Sequence, residues 1–122
     1  MLHQVKIISG DISAKETWEN VPQDIEYIFH LAGPSSITLF KRHPERCYYE
    51  TVFGLYQLLE FAKKNKVKKV IYTSTGSLYA GNRMPHREEL YPIGSNLYAA
   101  AKIACEALAN SYSDHIKILG LR

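Results

Sequence analysis

Cysteine is scarce in this 122-residue chain: Cys47 and Cys105 stand far apart, with no Cys-x-x-Cys spacing. That pattern shows neither a disulfide framework nor a thiolate zinc site, and it fits a reducing, cytoplasmic setting. His3, His43, His86 and His115 fall at no metal-ligand spacing, so no metal is expected. No apolar run approaches the roughly 18 residues of a spanning helix, so no membrane segment is expected. The first residues lack the basic flank and continuous apolar stretch of a secretory signal. Charge of one sign is also missing. Lys plus Arg total 15 and Asp plus Glu 12, and a net +3 is too mild to imply a nucleic-acid partner. The cluster Lys63, Lys64, Lys66, Lys68 and Lys69 reads as a solvated helix end rather than a polyanion site. What remains is 46% apolar, 11% aromatic and 22% charged, enough for one core and one domain over residues 1–122.

Four short segments rich in β-branched or aromatic residues read as strands, at 5–9, 25–31, 69–74 and 116–121. Helical patterns lie between them. Residues 44–65 open on Pro44 and carry Tyr48, Val52, Leu55, Leu59 and Ala62 on one face. A second stripe, Tyr49, Phe53 and Tyr56, makes this helix apolar on two sides, so it should pack against more than its own sheet. Residues 96–112 form another helix, capped by Ser95, with Leu97, Ala101, Cys105, Leu108 and Tyr112 on one side. Residues 13–20 supply one or two turns at most. Alternating strands and helices predict an α/β fold: a doubly wound parallel sheet of about four strands, covered on both faces. Ligands of such sheets sit beyond the carboxyl ends of the strands, so the turns after residues 9, 31 and 74 should face one cleft.

Chemistry concentrates at Tyr98-Ala99-Ala100-Ala101-Lys102, which sets a phenol and an ammonium on one helix face. A free phenol titrates near pH 10, and lowering that by about three units takes roughly 4 kcal/mol. A nearby cation and the positive end of a helix dipole both act in that direction. About 20 residues upstream, a strand ends in Thr73-Ser74-Thr75-Gly76-Ser77-Leu78-Tyr79, whose hydroxyls can bond a substrate hydroxyl facing the tyrosine. The turns at Gly10-Asp11-Ile12 and His30-Leu31-Ala32-Gly33 let backbone approach a flat ligand closely. His30 itself reads as structural.

Taken in order, these four elements resemble the extended short-chain dehydrogenase/reductase superfamily, in its NAD-dependent epimerase/dehydratase branch typified by UDP-galactose 4-epimerase. The likeness runs from Val5 to Arg122. It implies a partial Rossmann-like domain binding NAD or NADP and acting on a nucleotide sugar. Asp11 and Ile12 would flank the adenine, and Leu31, Ala32 and Gly33 would line the pyrophosphate and nicotinamide-ribose path. Thr75 would hydrogen-bond the reacting sugar hydroxyl, Tyr98 would take its proton, and Lys102 would hold the ribose hydroxyls and favour the phenolate.

The chain departs from the family pattern in three places. It has no G-x-x-G-x-x-G turn to cradle a pyrophosphate, so weak NAD binding by the isolated chain is expected. The Asn-Val-x-Gly-Thr helix motif reads Glu50-Thr51-Val52-Phe53-Gly54-Leu55. The sequence ends at Leu121-Arg122, where the family continues into a sugar-binding lobe, so a fragment is expected. The pair Gly76-Ser77 replaces the Asp-Glu typical of 4,6-dehydratases and can serve as neither acid nor base, leaving an epimerase or a carbonyl reductase. The alternative is a non-catalytic remnant or dimerising module of the same fold. The resemblance also implies a homodimer through the helices at 44–65 and 96–112. The strand at 5–9 should be the least protected segment, since the resemblance leaves it without a backbone partner.

Overall fold

A computed structural model describes residues 5–122; residues 1–4, His3 among them, lie outside the described part. Three parallel strands form the sheet: β1 (Tyr27–His30), β2 (Lys69–Thr73) and β3 (Lys117–Leu121), in the order β1-β2-β3. Ile28 is level with Val70 and Val70 with Ile118, placing one apolar row across all three strands. The helices are α1 (Lys15–Glu19), α2 (Ile37–Arg42), α3 (Pro44–Tyr48), α4 (Gly54–Lys64) and α5 (Leu97–Ser111). A π turn (Tyr49–Phe53) joins α3 to α4 without leaving helical backbone, so one rod runs from Pro44 to Lys64 as the periodicity predicts. Pro44 explains the break before it. Its ring disfavours a helical residue at position 43, and His43 sits at φ −135°, ending α2 at Arg42.

The core lies between this rod, α5 and one face of the sheet. Leu55, Leu58, Leu59, Ala62, Val67, Val70, Cys105 and Ile116 are all buried there, with Ile28 and Ile118 packed against them. Each fully buried aliphatic side chain contributes about 1.5–3 kcal/mol relative to exposure. A 3-10 turn (Gly76–Tyr79) follows β2, and Leu78 and Tyr79 tuck inward from it.

The structure corrects two expectations. Residues 5–9 form no strand; they run unpaired, with Val5 87% and Ile7 85% exposed. β-branched residues express a preference for extended backbone, but a strand exists only against a partner, and β1 pairs with β2 alone. The sheet is therefore three-stranded among the described residues. Among the described residues it is also covered on one face only. The chain passes β1, β2, β3 without reversing direction, and right-handed crossovers made in one direction place every helix on the same side. Tyr27, Phe29, Leu119 and Leu121 look outward from the other face.

Candidate functional site

Three parallel strands bring their carboxyl ends to one edge of the sheet, where Leu31 follows β1, Thr75 follows β2 and Lys102 bonds the Thr73 carbonyl. α5 supplies the first pair. Asn96, not Ser95, caps it: the Asn96 side chain accepts from the Ala99 amide at 2.9 Å. Tyr98 consequently stands in the first turn, at the positive end of the helix. Its ring is 9% exposed, edge-on to Phe40 of α2 at 5.5 Å between centroids, in a cluster with Cys47 and Ala101. One turn later Lys102 is equally buried, and its Nζ donates to the Thr73 carbonyl at the end of β2 at 2.9 Å. A buried ammonium needs such an acceptor. That bond ties the helix carrying Tyr98 to the strand end that precedes Thr75.

Thr75 caps the 3-10 turn, its Oγ1 accepting from the Ser77 amide at 3.1 Å. Because the hydroxyl oxygen accepts from backbone, its proton is free to be donated to a ligand. His30, opposite Tyr72 in the register, is buried at the end of β1. Burial, reinforced by the Lys102 charge, pushes its imidazole down to about 4, so it is neutral at physiological pH. The structural reading of His30 fits that burial.

The two proposed cofactor segments lie over the same face of the long helical rod. Gly33 adopts φ +131°, which a side chain would strain, and a Cβ built there would meet only the Thr51 hydroxyl, at 3.9 Å. Ile12 presses on Gly54, where a Cβ would fall 2.9 Å from its Cδ1. Positions 51 and 54 are three apart and adjacent on one helix face, so the loops carrying Asp11 and Ile12 and carrying Leu31, Ala32 and Gly33 become neighbours. Leu31, Ala32 and Gly33 are all exposed, an open backbone surface at the strand end. Asp11 takes both the Ser13 hydroxyl and the Ser13 amide on Oδ1, at 2.7 and 2.8 Å, and those bonds hold its carboxyl below the usual range. Trp18 Nε1 donates to the Ile12 carbonyl at 2.8 Å and fixes the same turn.

Sequence reasoning missed several parts of this arrangement. α2 passed unnoticed because six residues are too few for a period to show, although Ser36 in fact caps it. Its Phe40, fully buried, backs Tyr98. The π turn was not foreseen, and it contains Thr51, whose buried hydroxyl has no partner among the described residues. π turns recur at functional sites, and this one stands beside Gly33. Among the described residues no three His, Cys, Asp or Glu side chains gather as metal ligands, and no helix is long and apolar enough to cross a membrane.

A parallel α/β sheet with a tyrosine and a lysine one turn apart at its carboxyl edge defines a Rossmann-like class. A family model for the NAD dependent epimerase/dehydratase family matches residues 1–122, and the chain belongs to that family. Human dTDP-D-glucose 4,6-dehydratase is 30% identical over 117 residues, spanning 92% of this chain and 33% of that protein. UDP-glucuronate 4-epimerase 3 of Arabidopsis thaliana is 30% identical over 124 residues, 96% of this chain and 28% of that one. The chain thus spans about a third of the length of these curated relatives. Among solved structures, RMD from Pseudomonas aeruginosa, complexed with NADPH, superposes with a TM-score of 0.86 at 26% identity, covering 93% of this chain and 41% of that one. UDP-glucose 4-epimerase from Thermus thermophilus, complexed with NAD, gives 0.85 at 26% identity, covering 94% and 39%.

Proposed function

We propose that this protein is an NAD(P)-dependent epimerase or carbonyl reductase acting on a nucleotide sugar. The observation that carries the reading is the Lys102 ammonium, buried against the Thr73 carbonyl, on the helix that presents Tyr98 and beside the strand end that presents Thr75. Thr75 donates its free proton to the oxygen of the reacting sugar carbon or accepts from its hydroxyl. Tyr98 takes the hydroxyl proton when the carbon is oxidised and returns it on reduction. Lys102, held at the end of β2 by the Thr73 carbonyl, would hold the ribose hydroxyls of the cofactor.

The residues present fit a dinucleotide in part. Gly33 and its exposed neighbours Leu31 and Ala32 offer backbone without side-chain obstruction, suited to the pyrophosphate and nicotinamide-ribose path, and Asp11 and Ile12 suit the adenine end. The bound nicotinamide would supply the hydride acceptor and donor. The NADPH and NAD complexes among the structural neighbours support either cofactor. A dehydratase is among the relatives. Even so, Gly76 and Ser77 after Thr75 hold no acid or base for water elimination, which favours epimerisation or reduction.

A second copy of the chain is the proposed partner. An apolar groove lined by Tyr48, Tyr49, Val52, Phe53, Ala104 and Leu108 runs between the rod and α5, the two helices expected to dimerise. The test is incubation of a longer form that carries the glycine-rich turn with UDP- and dTDP-sugars and NAD or NADPH, read by proton NMR at the sugar carbons. Inversion of one carbinol centre supports the epimerase, net reduction of a keto sugar supports the reductase, and neither product, with self-association retained, supports the non-catalytic dimerising module instead.

A further inference from the structure

We propose that Glu106 is a positioning residue for the candidate site, holding the β2 end so that Thr75 meets the hydroxyl that Tyr98 serves. This rests on the roles assigned above to Thr75, Tyr98 and Lys102. Glu106 stands one turn beyond Lys102 on α5, and the two side chains grip adjacent residues of the same strand end. Lys102 Nζ donates to the Thr73 carbonyl at 2.9 Å, and the Ser74 hydroxyl donates to Glu106 Oε1 at 2.6 Å. The next residue is Thr75.

The other side of the carboxylate is held as firmly. Arg122 donates from Nη2 to Oε2 at 2.7 Å and from Nε to Oε1 at 3.0 Å, a two-pronged pair with both side chains about four-fifths buried. Arg122 is fixed in turn by Nη1 donating to the Glu88 carbonyl at 3.0 Å, and its guanidinium lies 5.7 Å over the Tyr79 ring. The Ser74 amide donates to the Leu121 carbonyl at 2.6 Å, so β3 is bound into the same corner. Burial works against the Glu106 charge, but the Arg122 and Ser74 hydrogen bonds prevail and hold the carboxyl below its ordinary range.

A brace serving only the sheet would need no bond to Ser74, because the Ser74 amide already joins β3. The Glu106–Ser74 bond restrains the side chain immediately before Thr75. Reactions that depend on aligned donors lose rate steeply when a group is displaced, on the order of 100-fold for 1 Å.

The test uses Glu106→Leu, Glu106→Asp and Ser74→Ala in the protein carrying ¹³C-labelled threonine, leucine and valine methyls and lysine ε-carbons. Glu106→Leu and Ser74→Ala each remove the acceptor or the donor of the Ser74 bond and should each shift the Thr73, Thr75 and Lys102 signals while leaving the core signals around Leu59 and Val70 in place. In the turnover assay each should lower kcat about 10- to 100-fold with the cofactor KM unchanged. The double variant should lose no more than the worse single one, as expected for one shared bond. Glu106→Asp should restore part of the Thr75 signal position. A fall in thermal stability with unmoved Thr75 and Lys102 signals, or losses that multiply in the double variant, would overturn the proposal. Those signals report on Glu106 even if Tyr98→Phe shows the catalytic assignment itself to be wrong, so the two failures are told apart.

Discussion

His30 sits at 8% exposure at the end of β1, and its surroundings set a measurable pH dependence. Burial first, and the Lys102 charge second, bring its folded value to about 4, against 6.5 for the free side chain. As pH falls below about 6.5 the unfolded chain binds the proton first, so stability declines toward pH 4 by roughly 3 kcal/mol at most. Above 6.5 the group contributes no slope. Asp11 and Glu106, held below the ordinary carboxylate range, add to the loss only below about pH 5. Urea midpoints measured from pH 7.5 to 4 should show this decline, and His30→Asn should flatten it; an equal slope in the variant would remove His30 as its source. Phe40 yields a second residue-scale prediction. Phe40→Ala should cost about 3–5 kcal/mol by opening a cavity beside the Tyr98 ring, read as a lowered urea midpoint. At this scale, residue types with strong chemistry, Tyr98, Lys102 and Thr75, were legible in the sequence. Phe40 was not, because an apolar residue shows its purpose only through what it touches.

The long rod from Pro44 to Lys64 shows what element-scale reading can and cannot reach. Its apolar period was plain, and its start at Pro44 followed from proline chemistry. The π turn was invisible, since one extra residue in a turn barely alters a 20-residue period. Its C-terminus closes in a Schellman motif: Val67 donates to the Ala62 carbonyl at 2.9 Å and Lys66 to that of Lys63 at 3.3 Å. Lys66 occupies the left-handed position at φ +55°, where a Cβ costs about 1–2 kcal/mol. Lys66→Gly should therefore raise stability by up to about 1 kcal/mol, after the added freedom of the unfolded chain is counted. Thermal unfolding with an unchanged or lowered midpoint would contradict that account of the cap. Residues 5–9 are the complementary lesson. Their β-rich pattern reads as a strand, but the resemblance already leaves it without a backbone partner, and without one no strand forms.

At the scale of the whole molecule, the one-sided sheet and the groove between the rod and α5 leave apolar surface on two flanks. Tyr49 and Phe53 stack at 4.8 Å between centroids, with Tyr49 more than half exposed. Exposed aromatic rows of this kind favour association. Light scattering should show self-association at high micromolar concentration, and Tyr49→Ser with Phe53→Ser should weaken it. A stable monomer in the parent chain would refute the groove as an interface. The parallel sheet was legible from the alternation of patterns, whereas the bare face was not, because it follows from the direction of the crossovers rather than from any local stretch. The central claim is that Tyr98 moves the proton when the sugar carbon is oxidised or reduced, and turnover of Tyr98→Phe in a longer form that carries the glycine-rich turn measures it most directly. Removal of one phenolic oxygen should cut kcat about 10²- to 10⁴-fold while cofactor binding stays within about twofold; unchanged turnover in that variant would contradict the assignment.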